Sequence, residues 1–401
     1  MFRYTILLSV MLGSLIASMS TQASHLTTMH SFCSLPDGSR CLDGETPASR
    51  LVEVGSELYG TAATGGSASR GTLFRISTAG TFTLLHAFCQ ETYCSDGAGP
   101  GNYLSRGPSG AVYGITAAGG TADSGTIFKL SKDGTFSVVY KFCSEARCVD
   151  GIQPVSVLFG GEGNLFGTTT SGGRHGGGTA FEIDTHGAFR VLYDFCAKDG
   201  CADGASPGAL VRGRDGNFYG TTLAGGANHA GTVFRMTPGG KVTVLYSFCE
   251  TARCLGGEQP AAMLVEGPNG DFYGTTTQRG ANRSGAIFEI SPAGVFRTLH
   301  SFCIDAKCSD GANPVDGLVL AKDGTFYGTA SGGGRFNYGV VFHMTATGRY
   351  SVAYNFCSLH GCFDGADPAI SPIFGSDGLL YGVTASGGIN TGDGTVYRLV
   401  P

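Results

Sequence analysis

The chain has 401 residues, of which 67 are Gly and none is Trp, and its formal net charge is −5 with only 14% charged residues. No basic excess exists to neutralise phosphates, so nucleic-acid binding is excluded as an expectation. Hydrophobic residues make up 42% of the chain, enough for a sizeable core, and the Gly recurs at regular intervals rather than in disordered runs.

In chain order, residues 1–23 stand apart. Arg3 gives a positive start, Ile6 to Ile16 is apolar, and Thr21-Gln22-Ala23 offers a cleavage point. This is the pattern of a secretory signal peptide. A retained membrane anchor is the alternative, but the apolar run is shorter than the roughly 20 residues a span needs. No later segment has the length to cross a bilayer. Residues 24–401 are therefore expected to form one exported domain, periplasmic or extracellular, with no membrane span after signal removal.

The rest of the chain is repetitive. An aromatic-Gly pair recurs at Tyr59-Gly60, Tyr113-Gly114, Phe166-Gly167, Tyr219-Gly220, Tyr273-Gly274, Tyr327-Gly328 and Tyr381-Gly382, always 53 or 54 residues apart. One unit shows four short apolar runs separated by Gly-rich turns: Ala209 to Arg212, Phe218 to Leu223, Thr232 to Met236 and Val242 to Phe248. Four strands per unit, with no useful helical periodicity, is the pattern of a propeller blade. The termini are complementary. Leu26 to Phe32 matches only a fourth strand, and Gly394 to Leu399 matches only a third. The sequence thus predicts an all-β, seven-bladed β-propeller of four-stranded blades, its ring closed by the N-terminal strand completing the last blade. A linear solenoid, the alternative, would need capped ends.

Each unit carries two cysteines: Cys33 and Cys41, Cys89 and Cys94, Cys143 and Cys148, Cys196 and Cys201, Cys249 and Cys254, Cys303 and Cys308, Cys357 and Cys362. In an exported chain these read as seven within-unit disulfides, each worth about 2 kcal/mol by loop-closure entropy. Two thiolates per unit fall short of a zinc site, so no metal and no cofactor are expected. An Asp follows the second Cys in six units (Asp43, Asp96, Asp150, Asp203, Asp310 and Asp364), while Gly256 replaces it in the fifth. One carboxylate per blade is far from a Ca²⁺ shell, so these are read as turn caps, with the Pro that follows in every unit rigidifying the start of the next strand. His30, His86 and His300 stand where other units have Tyr140, Tyr193, Tyr246 and Tyr354. They are read as aromatic substitutes rather than catalysts. Phe74, Phe128, Phe181, Phe234, Phe288, Phe342 and Tyr397 share one strand position and are expected to pack between blades.

Phe218-Tyr219-Gly220-Thr221-Thr222, then Gly225-Gly226, then Gly231-Thr232-Val233-Phe234, resembles the GloVer tandem-repeat family of exported bacterial proteins. The likeness covers essentially the whole chain after the signal. It implies export and repetition, and brings no activity or active-site residues. Members often end in an anchoring tail, whereas this sequence stops at Pro401, so anchoring of that kind is not expected.

Loop length says where a ligand would sit. The cysteine-bearing connections and the Gly-Gly loops are the long ones and share one face, while the opposite face has only tight turns such as Asp215-Gly216. Binding residues concentrate in loops on rigid scaffolds. The candidates are the variable Gly-Gly loop residues Arg70, Asp123, His175, His229, Arg283, Arg335, Asn337, Tyr338 and Asn390. Strand one should line the central channel, with ion pairs Glu53/Arg106 and Arg212/Glu266 between neighbouring blades. No Ser/His/Asp motif, zinc helix or carboxylate pair stands out. A monomeric binding scaffold for a glycan or an extracellular protein is therefore expected ahead of a glycan- or lactone-cleaving enzyme or a purely structural surface protein.

Overall fold

A computed structural model describes residues 25–38, 40–160, 163–250, 253–260, 263–389 and 392–401. The expected signal peptide lies outside them. The described chain forms seven antiparallel blade sheets around one ring. In the fourth blade the second, third and fourth strands are Phe218–Ala224, Thr232–Met236 and Val242–Ser247. The N-terminal strand Leu26–Ser31 pairs antiparallel with the C-terminal strand Thr395–Leu399, and so supplies the outer strand of blade 7. Ring closure by complementary termini is thus observed.

The repeat motif is explained residue by residue. In the aromatic-Gly pair, a Cβ at Gly60 or Gly114 would lie 2.5 or 2.4 Å from the Phe ring of strand three, so only Gly lets that ring pack across the sheet. That same Phe, or Tyr397 in blade 7, meets the strand-four Phe of the preceding blade. All seven inter-blade ring pairs have centroids 5.1–5.4 Å apart, from Phe32–Phe74 to Phe356–Tyr397. These rings are fully buried and repeat at each blade interface, each pair adding about 1 kcal/mol to the area it buries.

The expected role of Pro is extended by the structure. A Cβ on the Gly that ends each Gly-Gly loop would strike the next blade's Pro: 2.3 Å from Cδ at Gly71/Pro100, 2.8 Å at Gly231/Pro260, and 2.6 Å at Gly394/Pro47 across the closure. A backbone bond accompanies each contact. Ser206 N–H donates to Gly177 O at 2.8 Å, and Thr46 N–H to Asp393 O at 3.0 Å. The bond that stitches interior blades therefore also stitches blade 7 to blade 1.

Strand one departs from expectation. Instead of one run over 209–212, blade 4 has two pieces, Ala205–Pro207 and Val211–Arg212. The residue before each Pro sits at positive φ, for example Thr46 at 52° and Ser206 at 55°. That kink lies inside the first piece, which ends at the Pro, and blade 3 carries the same kink at Gln153, φ 57°. Blade 3 nonetheless has an unbroken Ile152–Phe159. Blades 3 and 4 have one residue fewer between the Pro and the aromatic-Gly pair than blades 2, 5, 6 and 7, which accounts for the 53-residue spacing.

Candidate functional site

The loop face is built from a disulfide loop and a Gly-Gly loop in each blade. All seven expected bridges are present: Cys33 with Cys41, Cys89 with Cys94, Cys143 with Cys148, Cys196 with Cys201, Cys249 with Cys254, Cys303 with Cys308 and Cys357 with Cys362. No described cysteine is free. The second loop glycine donates its N–H to the carbonyl of the second cysteine, at 2.9 Å for Gly66–Cys41, Gly226–Cys201 and Gly388–Cys362. Gly226 adopts φ +80°, which a side chain resists. The two loops of a blade therefore hold each other.

The second cysteines also tie the loops together through their backbone carbonyls. The carbonyl of Cys148 accepts from Gly151 N–H and from Gly173 N–H, both at 3.0 Å. That of Cys308 accepts from Gly311 N–H at 2.8 Å and from Gly334 N–H at 2.9 Å. Both cysteines sit at positive φ, 51° for Cys148 and 47° for Cys308. This left-handed turn is what aims one carbonyl at two loops. Of the second cysteines, Cys94 lines the loop-face cleft between blades 1 and 2; Cys148 and Cys308, on other blades, do not.

Beneath these loops lies the buried Asp. Asp203 accepts from Tyr193 Oη at 2.7 Å, from Ala197 N–H at 3.0 Å and from Lys198 N–H at 3.1 Å. Asp364 repeats the set with Tyr354, Ser358 and Leu359. Where the aromatic is His, the geometry holds: His86 Nε2 lies 3.1 Å from Asp96 and His300 Nε2 2.9 Å from Asp310. These histidines stack flat on the next blade, His86 on Phe136 at 3.8 Å and His300 on Tyr350 at 3.9 Å, as Tyr140 does on Phe189 at 4.2 Å. The aromatic-substitute reading fits, and so does the cap reading of Asp. Burial presses the pKa of His86 and His300 below the usual value, against the pull of their Asp partners. Burial alone would raise Asp43, but bonds from His30, Ser34 and Leu35 outweigh it and hold the carboxyl low. In blade 5, Gly256 removes the acceptor, and Tyr246 keeps its stack on Phe296 at 3.9 Å and its edge contact with Phe248.

The candidate loop residues are exposed on this face, save Asn390, which lies outside the described residues. Asp123, His229, Arg283 and Asn337 occupy one loop position, at φ 53°, 57°, 65° and 64°. Their backbone makes a left-handed turn, and for three of them the N–H donates to the second loop glycine: His229 to Gly226, Arg283 to Gly280, Asn337 to Gly334. Asp123 also caps its loop, accepting Gly119 N–H at 2.7 Å. The turn thus fixes the backbone while leaving most of these side chains free to vary. Arg335 lays its guanidinium over Phe336 at 5.4 Å, and Phe336 and Tyr338 stay exposed.

Two candidates are brought together. Arg70 from blade 1 and Asp123 from blade 2 line one cleft of about 460 Å³, with Tyr93 beside them. Tyr93 is 91% exposed, at φ 58°. A bulky residue held there is unusual. It was legible as the one aromatic before a second cysteine, where other units have Arg, Lys or Gly. The remaining candidates sit around the ring and are not gathered into one pocket.

The channel is crossed by side chains of strand one. Tyr103 Oη donates to Asp316 Oδ1 at 2.6 Å. Blades 2 and 6 are as far apart as seven blades allow, so this bond spans the ring. Ser371 N–H reaches the other Asp316 oxygen at 3.3 Å, and Arg50 N–H donates to Asn102 O at 2.7 Å. Burial, reinforced by Asp316, holds the Tyr103 hydroxyl protonated well above its usual range. The expected ion pairs are corrected. Glu266 faces Arg214, 3.9 Å away, rather than Arg212, and Glu53 accepts from Ser376 N–H and Oγ at 2.9 and 2.8 Å rather than from Arg106. Each acid turns toward the preceding blade's turn, where backbone N–H groups converge. Among the described residues, no helix is long and apolar enough to cross a membrane.

Two extracellular domains of hybrid two component systems from B. thetaiotaomicron are similar in structure, with TM-scores of 0.58 and 0.56 at 12% identity. They align over 94% of this chain and over 42% and 41% of theirs, so the chain spans less than half of those proteins. A puromycin hydrolase aligns with TM-score 0.55 at 12% identity, over 89% of this chain and 53% of its own. At such identities these likenesses show the fold alone. No curated protein matches the sequence. The family model described as the Gloeobacter/Verrucomicrobia repeat matches residues 13–203 and 197–397. The chain belongs to the Gloeobacter/Verrucomicrobia repeat family.

Proposed function

We propose that the protein is an exported binding scaffold that meets a protein partner on its loop face. One observation carries this reading. Of the thirteen large apolar side chains left exposed among the described residues, nine lie in the cysteine-bearing connections or Gly-Gly loops, among them Leu35, Tyr93, Ile304, Phe336, Tyr338 and Leu359. Apolar groups exposed around a rigid, bridged rim mark an interaction surface. The seven disulfides favour an oxidising compartment and support export.

A second reading is favoured by the cleft between blades 1 and 2. Exposed Tyr93 offers a stacking face, while Arg70 and Asp123 offer a hydrogen-bond donor and acceptor for a glycan. Two assays on purified protein separate the readings. Capture from an envelope fraction by wild type, lost in a Phe336→Ala/Tyr338→Ala/Arg335→Ala variant of unchanged melting temperature, supports the protein partner. Glycan-array binding lost in Tyr93→Ala supports the second reading. Catalytic turnover of any glycan or lactone overturns both.

A further inference from the structure

We infer that the opposite, tight-turn face holds a separate site for an oxyanion-bearing sugar, in the cleft between blades 1 and 2. This cleft of about 690 Å³ is lined by Arg75, Arg106 and Lys132, with Tyr59 and Glu57, and closed by the turns at Gly55-Ser56 and Ser109-Gly110. Its volume is that of a small-molecule pocket.

The charge in this cleft is left over from the repeat. Strand three of six blades carries a charged residue at one repeat position: Arg75, Lys129, Glu182, Arg235, Glu289 and Arg398. Elsewhere that charge is answered. The turn acid Asp215 feels the charge of Arg235 and accepts from Tyr219, and Tyr381, which donates to the turn acid Asp377, also meets Arg398. Glu182 and Glu289 pair with Arg190 and Arg297 on strand four. At the turn-acid position, four residues before the aromatic, blades 1 and 2 have Gly55 and Ser109; blade 5 has Asn269 there, but its strand-three charge is itself an acid, Glu289. Lys129 is answered by the Tyr113 ring, 5.8 Å away. Arg75, Arg106 and Lys132 form no ion pair among the described residues.

The nearby acids do not cancel them. Glu57 is the single carboxylate lining the cleft. Glu53 is engaged by Ser376, and Asp133, beside Lys132, accepts Thr135 N–H at 3.0 Å. Three cations against one carboxylate, on a chain of net charge −5, make a local site for negative charge. Two guanidinium groups favour planar or tetrahedral oxyanions over simple halides. Glu57 and the Tyr59 hydroxyl suit the hydroxyl groups of a sugar ring, which points to a uronate, sulfated or phosphorylated saccharide.

The test uses the full exported chain and isothermal titration with three probes: digalacturonate, galactose 6-sulfate and glucose 6-phosphate, with neutral lactose as control. The proposal expects at least one charged probe to bind and lactose not to. That affinity should fall roughly tenfold or more in Arg75→Met/Arg106→Met, and again in wild type at 0.5 M NaCl. A second variant, Ser109→Asp, keeps every lining cation and restores the turn acid of blade 4. It should weaken binding with no change in melting temperature. Which probe binds identifies the oxyanion. No binding by any charged probe, equal binding of lactose, or unchanged affinity in both variants overturns the proposal. Partner capture on the loop face is scored separately, so either result stands without the other.

Discussion

The two faces of this ring are made from the same seven units, yet they use their residues differently. On the loop face almost every repeated group is committed to closure: the cysteines to bridges, the Asp to caps, the Gly-Pro contacts to stitching blade to blade. What varies there rides on a backbone that no longer can, as at Asp123, His229, Arg283 and Asn337. On the turn face the connections are short and pack against little. A Cβ at Gly216, Gly270 or Gly378 would meet nothing within 4 Å. Function is expected where a rigid frame leaves side chains unspent. The loop face does this with exposed apolar groups, and the turn face does it once, where two adjacent units lost their compensating acid.

The strongest way to break the contrast is to overfill it. Gly394→Leu places a side chain against Thr384 O and Pro47 at φ +99°. It should cost about 4 kcal/mol by overpacking and left-handed strain together. Gly216→Ala, on the turn face at φ +82° in open space, should cost about 1 kcal/mol. Urea denaturation of the pair measures the difference. Next, Asp203→Ala strands the Tyr193 hydroxyl and two backbone N–H groups, for an expected loss of about 3 kcal/mol. A Tyr246→Phe change in blade 5, where Gly256 already removes the acceptor, should be nearly neutral by comparison.

Replacing both Cys196 and Cys201 by Ala should cost about 2 kcal/mol, the loop-closure value for one short bridge. The smallest effect is on pH. Burial lowers the folded-state pKa of His86 and His300, so folding favours the neutral rings. That stability is full above the unfolded value near 6.5 and is lost as pH falls below it. Tyr does not titrate in this range. His86→Tyr/His300→Tyr should therefore flatten the decline in melting temperature between about pH 6.5 and pH 4.5; an equally steep decline would contradict the assignment.

Much of the fold was legible because each unit repeats its reasons. The aromatic-Gly spacing, the paired cysteines and the complementary ends all point to a ring, and the third strand of blade 4 falls on its expected residues, Thr232–Met236. The split of strand one was not legible, because it depends on local backbone geometry, including the positive φ of Ser206 and its equivalents, which composition does not signal. That Cys148 pairs with Cys143 and Cys308 with Cys303 was legible from the repeat, but their carbonyls' hold on Gly173 and Gly334 was not, because it depends on backbone direction. Glu53 and Glu266 were misassigned because adjacency in the repeat does not say which neighbour a long side chain faces. On the site, loop length pointed to Arg70 and Asp123 but not to Tyr93, whose signal was a departure from the repeat at one position. The cationic cleft was missed for the opposite reason. Its signal is an acid missing from two adjacent units that carry a strand-three cation, and such an absence is visible only once structure shows what that acid does elsewhere.

The central claim is that the loop face, not the turn face, meets the protein partner. The most direct measurement compares two variants of unchanged melting temperature for capture of the same partner from an envelope fraction. One carries Phe336→Ala and Tyr338→Ala on the loop face; the other carries Val295→Ala, an exposed apolar residue of a turn. The account predicts a loss of roughly tenfold or more in affinity for the first and wild-type affinity for the second. Undiminished capture by the first variant, or a loss confined to the second, would contradict it.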